Sequence, residues 1–282
     1  MQSRTENIYK EKINQVIDYI SANLHQPLQL DVIADTINVS QRQLLRIMNS
    51  ALNEPLSAYV ARQRIERAVL LMQTEEMSLT KLASMIGYDN PQSFSKAFKK
   101  QMGISPKAYM EALQHRLEGL VGNHSNGSYL PVSAEICQFE GLELVYIRIM
   151  GKYGVGESYE TAWNKLIAFL KTNQAISKET RFIGLSFDDP NVTHSNQCRF
   201  YACVSVQKKI IPMGEFGTIQ LQAGKYAVYT LKGSCSGLQE LYNNISVNCD
   251  YTIRHGMAFE EYIDWEKADH NEQITKVYIP IR

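Results

Sequence analysis

The sequence predicts a chain of two parts, α followed by α+β. The first is an all-α unit with two helix-turn-helix motifs, and the second is a duplicated strand-helix-strand-strand antiparallel sheet with helices on one face. Three observations predict it. One short helical pattern is written twice between residues 30 and 106, the apolar period changes from 3.6 to 2 beyond Pro131, and a strand and turn pattern repeats inside the second half. A chain of 282 residues that is 44% hydrophobic has material for two buried cores. The boundaries that follow are residues 1–118, a linker over 119–130, and residues 131–282.

The first copy of the helical pattern runs Leu30, Ala34, Ile37, Ser40, Leu44, Met48, Leu52 and ends at Asn53-Glu54-Pro55. The second runs Leu79, Ala83, Ile86, Asp89, Phe94, Phe98, Met102 and ends at Gly103-Ile104-Ser105-Pro106. In each copy an apolar stripe is broken by a tight turn, Asn38-Val39-Ser40 or Gly87-Tyr88-Asp89, whose last residue is suited to cap a new helix. Two helices joined by so short a turn cross each other, which leaves one side of the second free to enter a DNA major groove. Leu44, Ile47 and Met48 then face inward in the first copy, and Phe94, Ala97 and Phe98 in the second. The outward stripes are Gln41, Arg42, Arg46 and Asn49, then Gln92, Ser95, Lys96 and Lys99. These side chains have the donor and acceptor geometry that suits base edges and phosphates. Any surface helix presents a polar outer face, so the weight rests on the repetition. Between the copies, residues 56–72 contain no Gly or Pro and read as one helix of about 25 Å, suited to hold two recognition helices about 34 Å apart.

The spacing of Arg64-Ile65-x-x-Ala68, Leu79-x-x-Leu82-Ala83, Gly87-Tyr88, Ser93-Phe94, Phe98-Lys99 and Gly103-Ile104-Ser105-Pro106 resembles the signature of AraC/XylS-type bacterial transcription regulators. The resemblance covers roughly residues 8–112. It implies double-stranded DNA as a partner, with RNA polymerase a further one, and base contacts from Arg42, Leu45 and Arg46 and from Gln92, Ser95 and Lys96. Leu45 departs from the polar reader expected there, which implies an apolar contact with a thymine methyl or none. Pro91 suits the first turn of the second recognition helix.

Formal net charge is zero, which counts against a nucleic-acid binder until it is divided by region. Residues 1–119 hold 14 basic against 12 acidic side chains, and the remainder 15 against 17. Lys96, Lys99, Lys100 and Lys107 cluster around the second copy, so moderate, salt-sensitive DNA affinity is expected. The five cysteines, at 137, 198, 203, 235 and 249, form no CxxC pair and read as structural thiols. Six scattered histidines offer no metal spacing, and neither a metal nor a cofactor is expected. No apolar run reaches the roughly 20 residues of a membrane span, and residues 1–12 contain no apolar leader core, so a cytoplasmic location is expected.

An opening helix over residues 9–24 repeats Ile13, Ile17, Ile20 and Leu24 and closes over the first helix-turn-helix. After Pro106 a last helix runs to about Glu118, before the small polar run 119–128. Strands follow at 134–139, 142–150, 181–187, 199–206, 217–222, 225–232, 255–262 and 274–281. Helices at 158–172 and 236–247 interrupt them. Gly184-Leu-Ser-Phe187-Asp188-Asp189 aligns with Gly256-Met-Ala-Phe259-Glu260-Glu261, and Val145-Tyr146 with Val228-Tyr229. Two such halves make an eight-stranded pseudo-twofold sheet whose seam is a natural place for a ligand.

Trp163, Gly224-x-Tyr226-Ala-Val228, Gly233, Phe259-Glu260-x-Tyr262 and Tyr278-Ile-Pro280 resemble the GyrI-like effector-binding domain, over about residues 131–282. Alternation puts Glu260 and Tyr262 on one side of their strand and Phe259 and Glu261 on the other. The resemblance implies that the Phe-Glu-x-Tyr carboxylate faces a cavity and nominates Glu260, Trp163, Tyr226, Tyr262 and Tyr146 as effector-binding residues. A carboxylate among aromatic rings attracts a lipophilic or cationic small molecule by charge and ring quadrupole together. Against this stands the plainer alternative that the rings are core and Glu260 a partly exposed strand residue or salt-bridge partner. Two other functions stay open for this half: a small-molecule hydrolase with Glu260 as general base, and a protein-interaction module. No Ser-His-Asp or Cys-His arrangement and no phosphate loop supports catalysis, so no catalytic residue is assigned.

Overall fold

The structure is a computed structural model that describes residues 2–52, 54–75, 77–122, 133–154, 157–188, 193–248, 251–254, 256–263 and 272–282. It divides into two compact units, residues 1–116 with 213–215, and 117–212 with 216–282.

The first unit is helical: α1 (Gln2–Asn23), α2 (Leu30–Thr36), α3 (Gln41–Leu52), α4 (Leu56–Thr74), α5 (Leu79–Met85) and α6 (Pro91–Met102), with α7 (Pro106–Gly122) continuing from it. The two helix-turn-helix copies are α2–α3 and α5–α6. Their turns use the same hydrogen bond, Val39 N–H to the Ala34 carbonyl at 3.2 Å and Tyr88 N–H to the Ala83 carbonyl at 2.9 Å. Each needs one left-handed residue, Asn38 at φ 51° or Gly87 at φ 82°. Ser40 begins α3 in a capping box, its hydroxyl accepting from Gln43 N–H at 3.3 Å while Gln43 Oε1 accepts from Ser40 N–H at 3.1 Å. The second copy differs by one residue. Asn90, not Asp89, caps α6, accepting from Ser93 N–H at 2.8 Å, with Pro91 as its first helical residue. α7 runs to Gly122 and not Glu118, so positions 119–122 of the expected linker are helical; 123–130 lie outside the described residues.

The first copy packs Val16, Ile20, Ile33, Leu44, Met48, Leu56 and Tyr59 into one apolar cluster. The second copy buries Leu82, Ala83, Ile86, Phe94 and Phe98, with Phe94, Phe98 and Tyr109 meeting edge to face. α4 touches α3, α5 and α6, so one rod serves both copies.

The second unit contains β1 (Glu135–Phe139), β2 (Leu142–Met150), α8 (Glu157–Thr172), β3 (Phe182–Ser186), β4 (Arg199–Ser205), β5 (Phe216–Leu221), β6 (Gly224–Lys232), α9 (Leu238–Asn248), β7 (Phe259–Tyr262) and β8 (Ile274–Pro280). Each half therefore opens on two strands before its helix, one more than the expected repeat. All pairs are antiparallel in the order β1-β6-β8-β7-β3-β4-β2-β5. Read from both ends, this order is its own mirror under exchange of halves, and the halves trade their first strands: β1 pairs with β6 and β5 with β2. The two copies meet at β3–β7, where Gly184 faces Glu260 and Ile183 faces Glu261. α8 packs with Val145, Ile147, Ala202 and Val204, and α9 with Ala227, Tyr229, Val277 and Ile279, on the same side of the sheet. The other side buries Phe139, Leu144, Tyr146, Ile183, Tyr201, Tyr226, Phe259 and Tyr278 against one another.

The phase of the inner repeat is corrected by the structure. Phe187 follows the end of β3 whereas Phe259 begins β7, so the two phenylalanines stand at opposite ends of their strands and are not equivalents. Asp189 itself lies outside the described residues.

The two left-handed turn residues are not interchangeable. A Cβ on Gly87 would overlap the Leu24 carbonyl oxygen and lie 2.7 Å from Arg64 Nη2. Gly87→Asn, which keeps a residue tolerant of positive φ, is therefore expected to cost about 1–3 kcal/mol, whereas Asn38→Gly stays within about 1 kcal/mol. Urea unfolding of the full chain measures both, and equal costs would remove the close-approach argument.

Candidate functional sites

Each recognition helix presents one face to the core and one to solvent. On α3, Leu44, Ile47 and Met48 are buried, while Gln41, Arg42, Arg46 and Asn49 are exposed. Leu45 is half-buried against the first core, so little of it is left for a base. On α6, Phe94 and Phe98 are buried, Gln92, Lys96 and Lys99 are exposed, and Ser95 and Ala97 are intermediate. Neither helix contains an acidic residue, so the two carry two arginines and three lysines uncompensated along their length. The chain is neutral as a whole, yet these faces are locally basic. A cleft of about 240 Å³ between α1 and α3 adds Lys12 beside Gln43 and Arg46. Its sequence signal is its place on α1, which periodicity alone cannot orient against α3.

In the second unit the seam holds a buried acid. Glu260 is 5% exposed. Its Oε1 accepts from the Tyr242 hydroxyl of α9 at 3.0 Å and its Oε2 from the Tyr262 hydroxyl at 2.6 Å, with the Ser186 hydroxyl as a third partner. Gly184, directly opposite in register, leaves the space that the Tyr262 hydroxyl occupies, because a Cβ there would overlap it and crowd Phe200. Trp163 of α8 stands edge-on to Tyr262 with centroids 6.0 Å apart and also contacts Phe182. Burial pushes the Glu260 carboxyl above the ordinary carboxylate range, and the three hydroxyls offset only part of that. The same burial, with the Glu260 charge, pushes the Tyr242 and Tyr262 phenols well up.

What sets Glu260 apart is the company of the other acids. Among the described residues four acids are buried: Glu66, Asp188, Glu260 and Glu261. Arg62 holds Glu66 at 3.0 Å, Arg199 holds Asp188 at 2.6 Å and Arg181 holds Glu261 at 2.5 Å. Among the same described residues, Glu260 is bonded by hydroxyls alone. Of the plainer alternatives for Glu260, a partly exposed strand residue or a salt-bridge partner, the second describes its buried neighbour Glu261 instead.

The structure brings together Glu260, Tyr262 and Trp163 and separates them from Tyr226 and Tyr146. Tyr226 lies on the opposite face with Phe139 and Phe259, at centroid distances of 5.4 and 5.5 Å. Tyr146 stacks on Tyr201 at 4.4 Å, and Arg148 bonds both hydroxyls, at 3.1 and 2.8 Å. Tyr242, Ser186 and Gly184 were not nominated from sequence. Tyr242, four residues after Leu238 on the apolar stripe of α9, carried the one usable signal. Of the cysteines, Cys198 and Cys203 are buried, Cys137 is intermediate and Cys235 is exposed; Cys249 lies outside the described residues. No cluster of three metal-ligating side chains occurs among the described residues, and none of their helices is long and apolar enough to cross a membrane.

Two family models match the chain, a GyrI-like small molecule binding domain over residues 133–282 and a helix-turn-helix domain over residues 33–112. The first covers more than half of the sequence. The chain belongs to the GyrI-like family. Its GyrI-like domain follows an AraC-type helix-turn-helix domain, and the pair makes it a DNA-binding transcription regulator. The right origin-binding protein of Escherichia coli K12 is 22% identical over 291 residues, covering 96% of this chain and 98% of that protein. The HTH-type regulator YkgA of the same organism is 30% identical over 107 residues, 38% of this chain and 45% of that one. This chain thus spans nearly the whole of one relative and less than half of the other. Among solved structures, that of EcmrR in an EcmrR–DNA complex covers 90% of this chain and 99% of its own at 13% identity, with a TM-score of 0.47.

The raised Glu260 carboxyl makes this GyrI-like domain's stability depend on pH in a defined direction. Between the unfolded carboxyl's pKa, about 4.3, and the raised folded value, the folded chain binds more protons than the unfolded one, so stability falls as pH rises through that window. Glu260→Gln removes that dependence. The variant is expected to melt above wild type at about pH 7, with the gap closing toward about pH 4. A gap that stays constant across thermal melts over this range would show that the carboxylate carries no such penalty.

Proposed function

We propose that this regulator reads two adjacent major grooves with α3 and α6, and that its GyrI-like domain takes a lipophilic organic cation at Glu260. The observation that carries the second half is the buried carboxylate with no basic partner among the described residues, bonded by Tyr242 and by Tyr262, whose ring meets Trp163 edge-on. A desolvated charge is costly unless something compensates it, and a cation that lies against ring faces while meeting a carboxylate gains from both. An anionic ligand is repelled by the Glu260 carboxylate, and a neutral one meets it without the charge attraction. The first half rests on α4, which packs against both recognition helices and so joins them through one element. Gln41, Arg42, Arg46 and Asn49 serve the first groove, and Gln92, Ser95, Lys96 and Lys99 the second.

Such a protein works where promoter DNA and RNA polymerase are, in the cytoplasm, and polymerase is the partner through which a bound regulator acts. The effector modulates DNA binding to the extent that it favours one arrangement of the chain over another. A hydrolytic role is the weaker alternative. The three hydroxyls around Glu260 suit holding a fixed negative charge, and a general base needs a free lone pair aimed at a proton in substrate.

Two measurements test these roles. On duplexes selected in vitro by the full chain, Arg46→Ala is expected to lose about 1–3 kcal/mol of specific affinity; unchanged site-specific binding would remove Arg46 from the interface. In titration calorimetry of the full chain with tetraphenylphosphonium, heat of binding is expected for wild type and for Tyr201→Phe, on the other face of the sheet, and none for Glu260→Gln. Equal binding by the Gln variant would sink the charge argument.

A further inference from the structure

We propose that Arg64, near the middle of α4, is a positioning residue that sets the register of the second recognition helix against the first. It does so by clasping the end of α1 to the second turn. This rests on both helices reading DNA, and it adds what fixes the spacing between them.

A shared rod fixes where two helices attach, and a rod alone leaves the second copy free to pivot about it. Arg64 supplies a contact off the rod. Its Nε donates to the Leu24 carbonyl at 3.1 Å and its Nη2 to the Gln26 carbonyl at 2.8 Å, both just beyond the C-terminus of α1, where carbonyls lack helical partners. The same guanidinium lies over the Tyr88 ring at 5.5 Å, in the turn between α5 and α6. Gly87, next to it, approaches so closely that a Cβ would meet both the Leu24 carbonyl oxygen and Arg64 Nη2. One side chain thus touches the first copy's closing helix and the second copy's turn, and the backbones meet beneath it. Leu24 belongs to the first apolar cluster, while Tyr88 packs on Phe94 at 5.8 Å in the second. The guanidinium is suited to the task because its planar fork bonds two carbonyls along one edge while its flat face covers a ring.

The test uses the full chain and duplexes selected in vitro by wild type, together with the same duplexes carrying one or two extra base pairs between the two boxes and duplexes with the first box alone. Wild type is expected to lose about tenfold or more on insertion, because two rigidly registered helices cannot both seat. Arg64→Lys keeps the charge but has one nitrogen. It is expected to cut the insertion penalty to about threefold or less, with affinity for the first box alone within about twofold of wild type. Tyr88→Leu, which removes the ring beneath the guanidinium, is expected to relax spacing in the same way and serves if Arg64→Lys does not fold. A folded variant of either kind that keeps the full insertion penalty overturns the assignment of Arg64. A wild type with no penalty overturns the two-groove function itself, and the clasp with it.

Discussion

Both halves of this chain bury a core only by pairing two copies of a small unit, and this constraint decides where the functional groups sit. A single two-helix copy or a single strand and helix repeat has too little apolar surface to close on itself. In the first unit the copies share α4; in the second they share the β3–β7 pair and exchange β1 and β5. Arg64 and Gly87 stand at one seam, Glu260 and Gly184 at the other. At both, a glycine removes the one side-chain atom that would hold the copies apart; the Arg64 guanidinium lies against Gly87 and the Tyr262 hydroxyl, bonded to Glu260, against Gly184.

The charges at these seams are held in different ways. Arg64 meets backbone carbonyls and a ring, an arrangement that satisfies a cation while leaving part of it in water. Arg62, Arg181 and Arg199 instead pair with carboxylates, where one desolvated ion compensates another. Glu260 has no counter-ion among the described residues and is almost wholly buried. Hydroxyls are dipoles, and their hydrogen bonds return only part of the hydration an anion loses. A fold that needed only stability would be better served by an apolar residue or a paired one, as it has arranged for Glu261 one position along. That contrast on adjacent residues of a four-residue strand gives Glu260 a functional reading.

Period and turn chemistry made most elements legible from sequence: each expected helix and strand has a counterpart, the strand expected over 255–262 only at Phe259–Tyr262, and Leu44, Met48, Phe94 and Phe98 are core as their spacing required. Three things were not legible, each for a physical reason. Asp89 and Asn90 are both good caps, and side-chain chemistry alone does not choose between two adjacent ones. Alternation assigns parity within a strand but says nothing of its neighbour's face until register is known. Tyr146 pairs with Cys203, Cys203 with Ile183 and Ile183 with Glu261, and directly paired residues share a face. Tyr146 therefore goes with Glu261. Tyr226 pairs with Pro280, two residues from Tyr278, which pairs with Phe259, so it too is denied to Glu260. Tyr242 needed the packing of α9 over the seam, information no strand pattern contains.

These placements bear on how a ligand acts. A molecule shifts an equilibrium only by the difference in its interaction with the two states. At an exposed carboxylate that difference is small, because water serves the anion almost as well in either state. At Glu260 burial already disfavours the charged form and pushes the carboxyl above its ordinary range. On the proposed function, a cation would relieve that cost only in the arrangement that keeps Glu260, Tyr242 and Tyr262 together. Tyr242 comes from α9 and Tyr262 from β7, so the carboxylate ties a helix to the sheet seam, and the state the proposed cation would favour is the one in which that tie is made.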